Sequence, residues 1–223
     1  MSGAGRLREV QDNILKWQKK SPLAAKHITL IAVSKTHSAD AIIPLIDAGQ
    51  KVFGENRVQE AAEKWPALRE RYSDVQLHLI GSLQSNKVKE ALTLFDAIHT
   101  IDRQSLVEAI IKESAKLKDI RCKQFFVQVN TGEEEQKGGV SPEDASELVR
   151  YICSQNAFLI AGLMCVPPVG ESPAPHFALL HKLAVDLQLS ELSMGMSGDY
   201  ETAIRLGATY IRVGTALFGE RQP

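Results

Sequence analysis

Apolar residues in this chain come in short runs of buried-strand length, separated by stretches with helical spacing. Eight such runs are HITLIAVSK (27–35), KVFGEN (51–56), LHLIG (77–81), DAIHTID (96–102), KQFFVQVN (123–130), LIAGLMCV (159–166), LSMGMS (192–197) and YIRVGTALF (210–218). Several lack period-two alternation, which predicts strands of a parallel sheet covered on both faces. The intervening segments carry helix chemistry. Residues 5–18 predict a helix ahead of the first strand. Ser38 can cap ADAIIPLIDAG, which closes at Gly49, with Pro44 as an objection inside it. Asp102 is placed to cap RQSLVEAIIKESAKL. Ser141 with Pro142 opens a helix whose Ala145, Leu148, Val149 and Ile152 form an i, i+3, i+4, i+7 stripe. HFALLHKLAVDL (176–187) and ETAIRLG (201–207) complete the set.

Strand and helix alternating eight times predict an α/β fold, a single-domain (β/α)8 TIM barrel with an N-terminal helix. An open doubly wound sheet is the alternative, weakened because no GxGxxG or P-loop string follows any strand. With no linker or low-complexity segment, residues 1–223 are expected to form one domain.

Composition narrows the function classes. Hydrophobic content of 44% and charged content of 24% are those of an ordinary globular protein. The 26 basic and 27 acidic residues leave a net charge of −1, with no electrostatic footprint for nucleic acid. Cys122, Cys153 and Cys165 are odd in number and widely spaced, so neither a disulfide framework nor a zinc site is expected. The amino terminus is charged and helical, and no run reaches membrane-spanning length. These features predict a soluble protein of the cytoplasm, with no membrane partner.

In such barrels chemistry gathers at the C-terminal ends of the strands. Those ends supply Lys35, Glu55 and Asn56, Gly81 and Ser82, Asp102, Asn130, Cys165, Ser197 and Gly198, and the run from Arg212 to Thr215. Lys35 there points into a mouth, where partial desolvation would free its amine to attack an aldehyde. Its plain alternative is an ion pair with Glu55 or Asp102. Ser197 and Gly198, ahead of a helix, suit a phosphate, or an ordinary helix cap. Gly214 and Thr215 offer backbone N–H groups in the position such barrels use for phosphate. Arg212 lies in an apolar strand and needs a partner, either a carboxylate such as Asp199 or Glu55, or a ligand atom.

The segments "IAVSKTHS", "FGENRVQE", "HLIGSLQSNK", "SMGMSGDYETAI" and "IRVGTALFGER" occur in order along nearly the whole chain. Together they resemble the fold-type III pyridoxal-phosphate proteins and, within them, the pyridoxal phosphate homeostasis protein family. The resemblance implies that Lys35 forms a Schiff base with pyridoxal 5′-phosphate. It implies that Ser197, Gly214 and Thr215 hold the phosphate, that Arg212 faces the pyridine nitrogen, and that Asn56 and Met196 line the ring. His78, Gly81, Gln84, Asn86 and Lys87 would lie near the mouth, with no assigned role.

An arginine opposite the ring nitrogen disfavours the pyridinium and so weakens the electron sink that transamination and decarboxylation need. The related alanine racemases tolerate such an arginine, but they draw a second acid/base from a further domain after the barrel. This sequence ends a few residues past the eighth strand, and Tyr200 or Lys87 would have to substitute. The first expectation is therefore a non-catalytic protein of intracellular pyridoxal phosphate homeostasis, a monomer that buffers the vitamer or delivers it to apo-enzymes. A weak amino-acid racemase of the alanine type is the alternative, and a Schiff-base aldolase is a more distant third.

Overall fold

The computed structural model describes residues 2–219. Its strands are β1 (Thr29–Val33), β2 (Val52–Glu55), β3 (Gln76–Leu79), β4 (Ala97–Ile101), β5 (Gln124–Val129), β6 (Ile160–Cys165), β7 (Glu191–Ser193) and β8 (Tyr210–Val213). All pair in parallel in chain order, and β8 returns to β1, which closes the barrel. The helices are α1 (Gly3–Gln18), α2 (Ala39–Asp47), α3 (Val58–Arg71), α4 (Val88–Leu94), α5 (Gln104–Ser114), α6 (Pro142–Gln155), α7 (Pro173–Asp186), α8 (Tyr200–Arg205) and α9 (Thr215–Phe218). The expected (β/α)8 TIM barrel with an N-terminal helix is the observed fold.

Local chemistry explains most of the elements. Ser141 Oγ accepts the Asp144 N–H at 3.0 Å, Pro142 opens α6, and Ala145, Leu148, Val149 and Ile152 are all buried. Helix α2 runs through Pro44 and ends before Gly49, whose φ of +98° is the left-handed conformation that favours glycine after a helix. Gly162 of β6 lets the chain approach β7, since a Cβ there would lie 1.8 Å from the Glu191 carbonyl oxygen.

Several boundaries differ from expectation. The seventh strand stops at Ser193, so Met196 and Ser197 lie in the following loop. The eighth stops at Val213. Gly214 then turns the chain, and Thr215–Phe218 is a helical turn instead of more strand. A short apolar run does not by itself distinguish the two. Arg103, not Asp102, occupies the cap position of α5, and Asp102 accepts from Arg103 at 2.6 Å instead. Helix α7 starts earlier than expected, at Pro173 after Ser172. Helices α3 and α4 were not expected individually. In α3, Pro66 interrupts a run whose buried Val58, Ala61, Trp65 and Leu68 nonetheless share one face. Trp65 packs on Phe53 with ring centroids 5.2 Å apart. Glu220 and Arg221, the last two residues of the "IRVGTALFGER" segment, lie outside the described residues.

Strand residues divide by parity between two cores. One set packs under the helices, and includes Leu30, Ala32, Phe125, Val127, Ile211 and Val213. The other fills the barrel itself, where Ile31, Phe126, Met164 and Tyr210 pack together. Polar groups share this interior. His99 stacks on Phe126 at 4.1 Å, and both His99 and His78 lie within 6 Å of the Tyr210 ring. Desolvation, with a smaller push from Arg69, lowers His78 to about 3. Desolvation, followed by His78 and Arg212, lowers His99 well below its ordinary value.

Both imidazoles are therefore neutral in the fold and take protons only when the chain unfolds. Stability is lost as pH falls through the unfolded value of about 6.5 toward the folded ones. Denaturant unfolding at pH 7 and pH 5 should differ by about 2 kcal/mol for each histidine, and a His78→Phe variant should lose about half of the pair's contribution.

Candidate functional site

The inward parity that places Ile31 in the barrel core carries on to Val33 and Lys35, which line a cavity at the C-terminal mouth. On β8 the same parity runs from Tyr210 to Arg212 and then Gly214, so a core position leads directly into the cavity wall. The cavity holds about 430 Å³ and is also lined by Asn56, Ile80, Val166, Met196, Ser197, Gly198 and Thr215. All seven residues expected to hold a cofactor, Lys35, Asn56, Met196, Ser197, Arg212, Gly214 and Thr215, thus face one space. The volume is that of a small-molecule site.

The turn bearing Lys35 is tied down from below. Thr36 has φ of +65°, a left-handed conformation that costs a β-branched residue energy. Its N–H donates to Glu60 Oε1 at 2.5 Å. Lys64 Nζ donates to the carbonyls of Ser34 and His37, each at 3.0 Å, which bracket Lys35 and Thr36. The same ammonium pairs with Glu60 at 3.1 Å and with the fully buried Glu55 at 2.8 Å. Glu55 Oε1 also accepts from Ser34 Oγ and Trp65 Nε1. The Glu55 carboxylate is thus committed to Lys64 and Asp102 to Arg103, the two acids considered as plain partners for Lys35.

On the β7 and β8 side of the mouth, Ser197 Oγ accepts the N–H groups of Gly214 at 3.2 Å and Ala216 at 3.4 Å, which joins the two phosphate-type loops. A Cβ on Gly198 would meet nothing within 4 Å, so this wall is open to a ligand. Arg6 of α1 donates to the carbonyls of Leu217 and Phe218 and holds α9 from outside.

Arg212 brings a buried cation into the cavity wall. It is buried and donates to Ser193 Oγ and the Cys165 carbonyl, each at 2.8 Å. Among the described residues it has no carboxylate within ion-pair distance, so neither Asp199 nor Glu55 is its partner. Asp199 Oδ1 accepts from the Met196 N–H. Burial lowers the Arg212 pKa from its ordinary value, opposed by Cys165 and Asp199. A guanidinium has five N–H donors, and those left over face a cavity that also holds an amine and two hydroxyls. This donor set fits a ligand with an anionic tail, a carbonyl and a lone-pair acceptor.

Other expected residues fall elsewhere. His78 is buried inside the barrel and not at the mouth. Gly81, Gln84 and Lys87 line a neighbouring polar pocket of about 620 Å³ that shares Asn56 with the first, and Asn86 lies in the short helical turn beside it. Lys87 pairs with Glu90, and Tyr200 accepts from Asn13 of α1. Neither Lys87 nor Tyr200 lines the main cavity. His37, which stacks on Phe218 at 4.2 Å, does line it and was not anticipated, nor were Val33, Ile80, Val166 and Gly219. Parity back from Lys35 would have found Val33.

Comparison with known proteins gives the family of the chain. The family described as "Alanine racemase, N-terminal domain" matches residues 6–222. The pyridoxal phosphate homeostasis protein of Aquifex aeolicus is 39% identical over 231 residues, covering 100% of both chains. That of Vibrio cholerae is 37% identical, covering 96% of this chain and 98% of its own. The chain belongs to the pyridoxal phosphate homeostasis protein family. Among solved structures, PipY, the COG0325 family member of Synechococcus elongatus, has been solved with PLP bound; it is 36% identical, with a TM-score of 0.84 over 98% of this chain and 100% of that one. The structure of PipY without PLP gives 37% identity and a TM-score of 0.85 over 97% and 99%. An alanine racemase of Clostridium difficile shares the fold at 15% identity and a TM-score of 0.69, and this chain spans 58% of its length.

The clamp beneath Lys35 generates a stability prediction. Lys64→Met leaves the Glu55 carboxylate buried and unpaired and should cost about 3–5 kcal/mol in denaturant unfolding. Adding Glu55→Gln should restore much of that loss, whereas a double variant no more stable than the single one would contradict the pairing.

Proposed function

We propose that the chain is a non-catalytic carrier of pyridoxal 5′-phosphate, with residues 1–223 acting as one cofactor-binding barrel domain. Lys35 is the covalent attachment point. Ser197, Gly214 and Thr215 hold the phosphate, Arg212 donates to the ring nitrogen, and Asn56 and Met196 flank the ring. The observation that carries the proposal is Arg212, a buried cation with no carboxylate partner among the described residues, in the wall of the cavity that Lys35 lines. The names of the relatives and the PLP-bound PipY structure support the same ligand.

The bound vitamer supplies an aldehyde that an amine takes up reversibly with loss of water, and a ring whose electron demand rises when its nitrogen is protonated. Lys35 presents the amine from a turn that Lys64 and Glu60 immobilise, so the nucleophile is oriented before the ligand enters. The loops around Ser197 and Gly214 offer hydroxyl and backbone donors to the anionic tail. Arg212 keeps its proton and repels a second one from an acceptor in front of it. The site therefore grips the vitamer without raising its electron demand, which suits storage and release.

A racemase needs a second proton carrier opposite the lysine. Tyr200 is turned toward Asn13, and Lys87 toward Glu90. The likeness to the racemases, at 15–19% identity, concerns the fold. The balance of charge and the three free cysteines suit a cytoplasmic protein with no nucleic-acid or membrane partner, working as a monomer and handing its cargo to apo-enzymes. Among the described residues no helix is long and apolar enough to cross a membrane.

Borohydride reduction of the protein incubated with the vitamer, followed by peptide mass mapping, should find the phosphopyridoxyl group on the Lys35 peptide. Lys35→Ala should abolish both that adduct and the visible absorption band. A reduced adduct confined to other lysines would refute the assignment.

A further inference from the structure

Beneath the cavity floor a single file of polar groups crosses the barrel interior. Arg212 Nη1 of β8 donates to Ser193 Oγ of β7 at 2.8 Å. Ser193 Oγ lies 2.8 Å from His99 Nδ1 of β4. His99 Nε2 lies 3.0 Å from His78 Nδ1 of β3. His78 Nε2, at the far end, is buried without a partner. Neither histidine nor the serine lines the cavity, and the functional assignment above uses none of them.

Counting protons gives the file a direction. Ser193 already accepts from Arg212. If its hydroxyl donates to His99 Nδ1, then His99 Nε2 carries the proton that His78 Nδ1 accepts, and one group is left unmet, the His78 Nε2–H. In the reverse order His99 Nδ1–H donates to Ser193. Both the serine proton and the His78 Nε2 lone pair are then stranded, so two groups are unmet. The first order strands fewer. Every donor then points away from Arg212, and each bond polarises the next.

A purely apolar barrel core would avoid the stranded group at His78. What the polar file adds is a hold on one edge of the guanidinium that brings no negative charge near it. The second hold, the Cys165 carbonyl, is also uncharged. A carboxylate in the place of Ser193 would fix Arg212 equally well but would cancel its charge. The burial that keeps both imidazoles unprotonated also keeps them from repelling the guanidinium.

We propose that His99 and His78, acting through Ser193, are positioning residues that aim the Arg212 guanidinium at the ring nitrogen of the bound vitamer while leaving its charge whole. This inference rests on the carrier assignment above. It predicts effects on the ligand that decline with the number of bonds from Arg212 and that do not follow the stability of the barrel.

The test compares the unmodified protein with Ser193→Ala, His99→Leu, His99→Asn and His78→Phe. Absorbance titration with pyridoxal 5′-phosphate gives the dissociation constant and the position of the visible band, and thermal unfolding of the vitamer-free proteins gives Tm. Ser193→Ala should weaken binding about tenfold, the loss expected for one hydrogen bond to a charged group, and His99→Leu, one bond further away, about fivefold, each with a shift of the band. His99→Asn keeps an oxygen that accepts from Ser193 and should recover most of the affinity. His78→Phe should change affinity about twofold and leave Tm unchanged or raised. Unchanged affinity and spectrum in the folded variants would overturn the inference, as would losses that track Tm instead of distance from Arg212. Binding by the unmodified protein with a flat series overturns this inference alone, whereas no binding by the unmodified protein overturns the carrier assignment with it.

Discussion

A guanidinium buried without a carboxylate partner among the described residues is the constraint on which the site in this barrel depends. Arg212 sits on an inward position of β8, where a fold that only had to be stable would place an aliphatic side chain. Its known partners are a hydroxyl and a carbonyl. Such a charge costs several kcal/mol unless something else satisfies it. The cavity beside it, lined also by Lys35 after the neighbouring β1 and by hydroxyl and backbone donors, is where we propose that compensation enters.

The barrel supplies the geometry through parity. One set of strand residues meets the helices and the other fills the interior, and the interior set continues upward into the mouth. Ile31 leads to Lys35 and Tyr210 to Arg212, so the packing that stabilises the core also orients the reactive groups. The Lys35 turn needs more than packing, because Thr36 is held in a left-handed conformation. Lys64, Glu60 and Glu55 provide that hold from the outer side of the sheet. The two ends of the site are thus secured differently, the amine by an ionic clamp and the guanidinium by neutral hydrogen bonds.

Much of this was legible in the sequence because it depends on local spacing. Eight short apolar runs with helices between them left little besides a barrel, and the polar residues after each run predicted the mouth. What escaped has physical reasons. The helix over Val58–Arg71 was obscured by Pro66, although Trp65 and its neighbours kept an apolar face. The eighth strand was read too long because TALF is as apolar as a strand, and the turn depends on the conformation of Gly214. His78 belongs to a segment expected at the mouth, but it lies deeper on β3 than Ile80, which shares its parity and does line the cavity. The bond from Lys64 to the Ser34 carbonyl and the link from His99 to Ser193 join residues distant in sequence, and only the assembled barrel brings them together.

The central claim is that the Arg212 charge stays uncancelled in front of the ring nitrogen. Nitrogen magnetic resonance of the protein loaded with vitamer labelled with ¹⁵N in the ring tests it directly. An unprotonated pyridine shift across neutral pH, moving toward the protonated value when Arg212 is replaced by Glu, is the predicted result. A pyridinium shift in the unmodified protein would contradict the account.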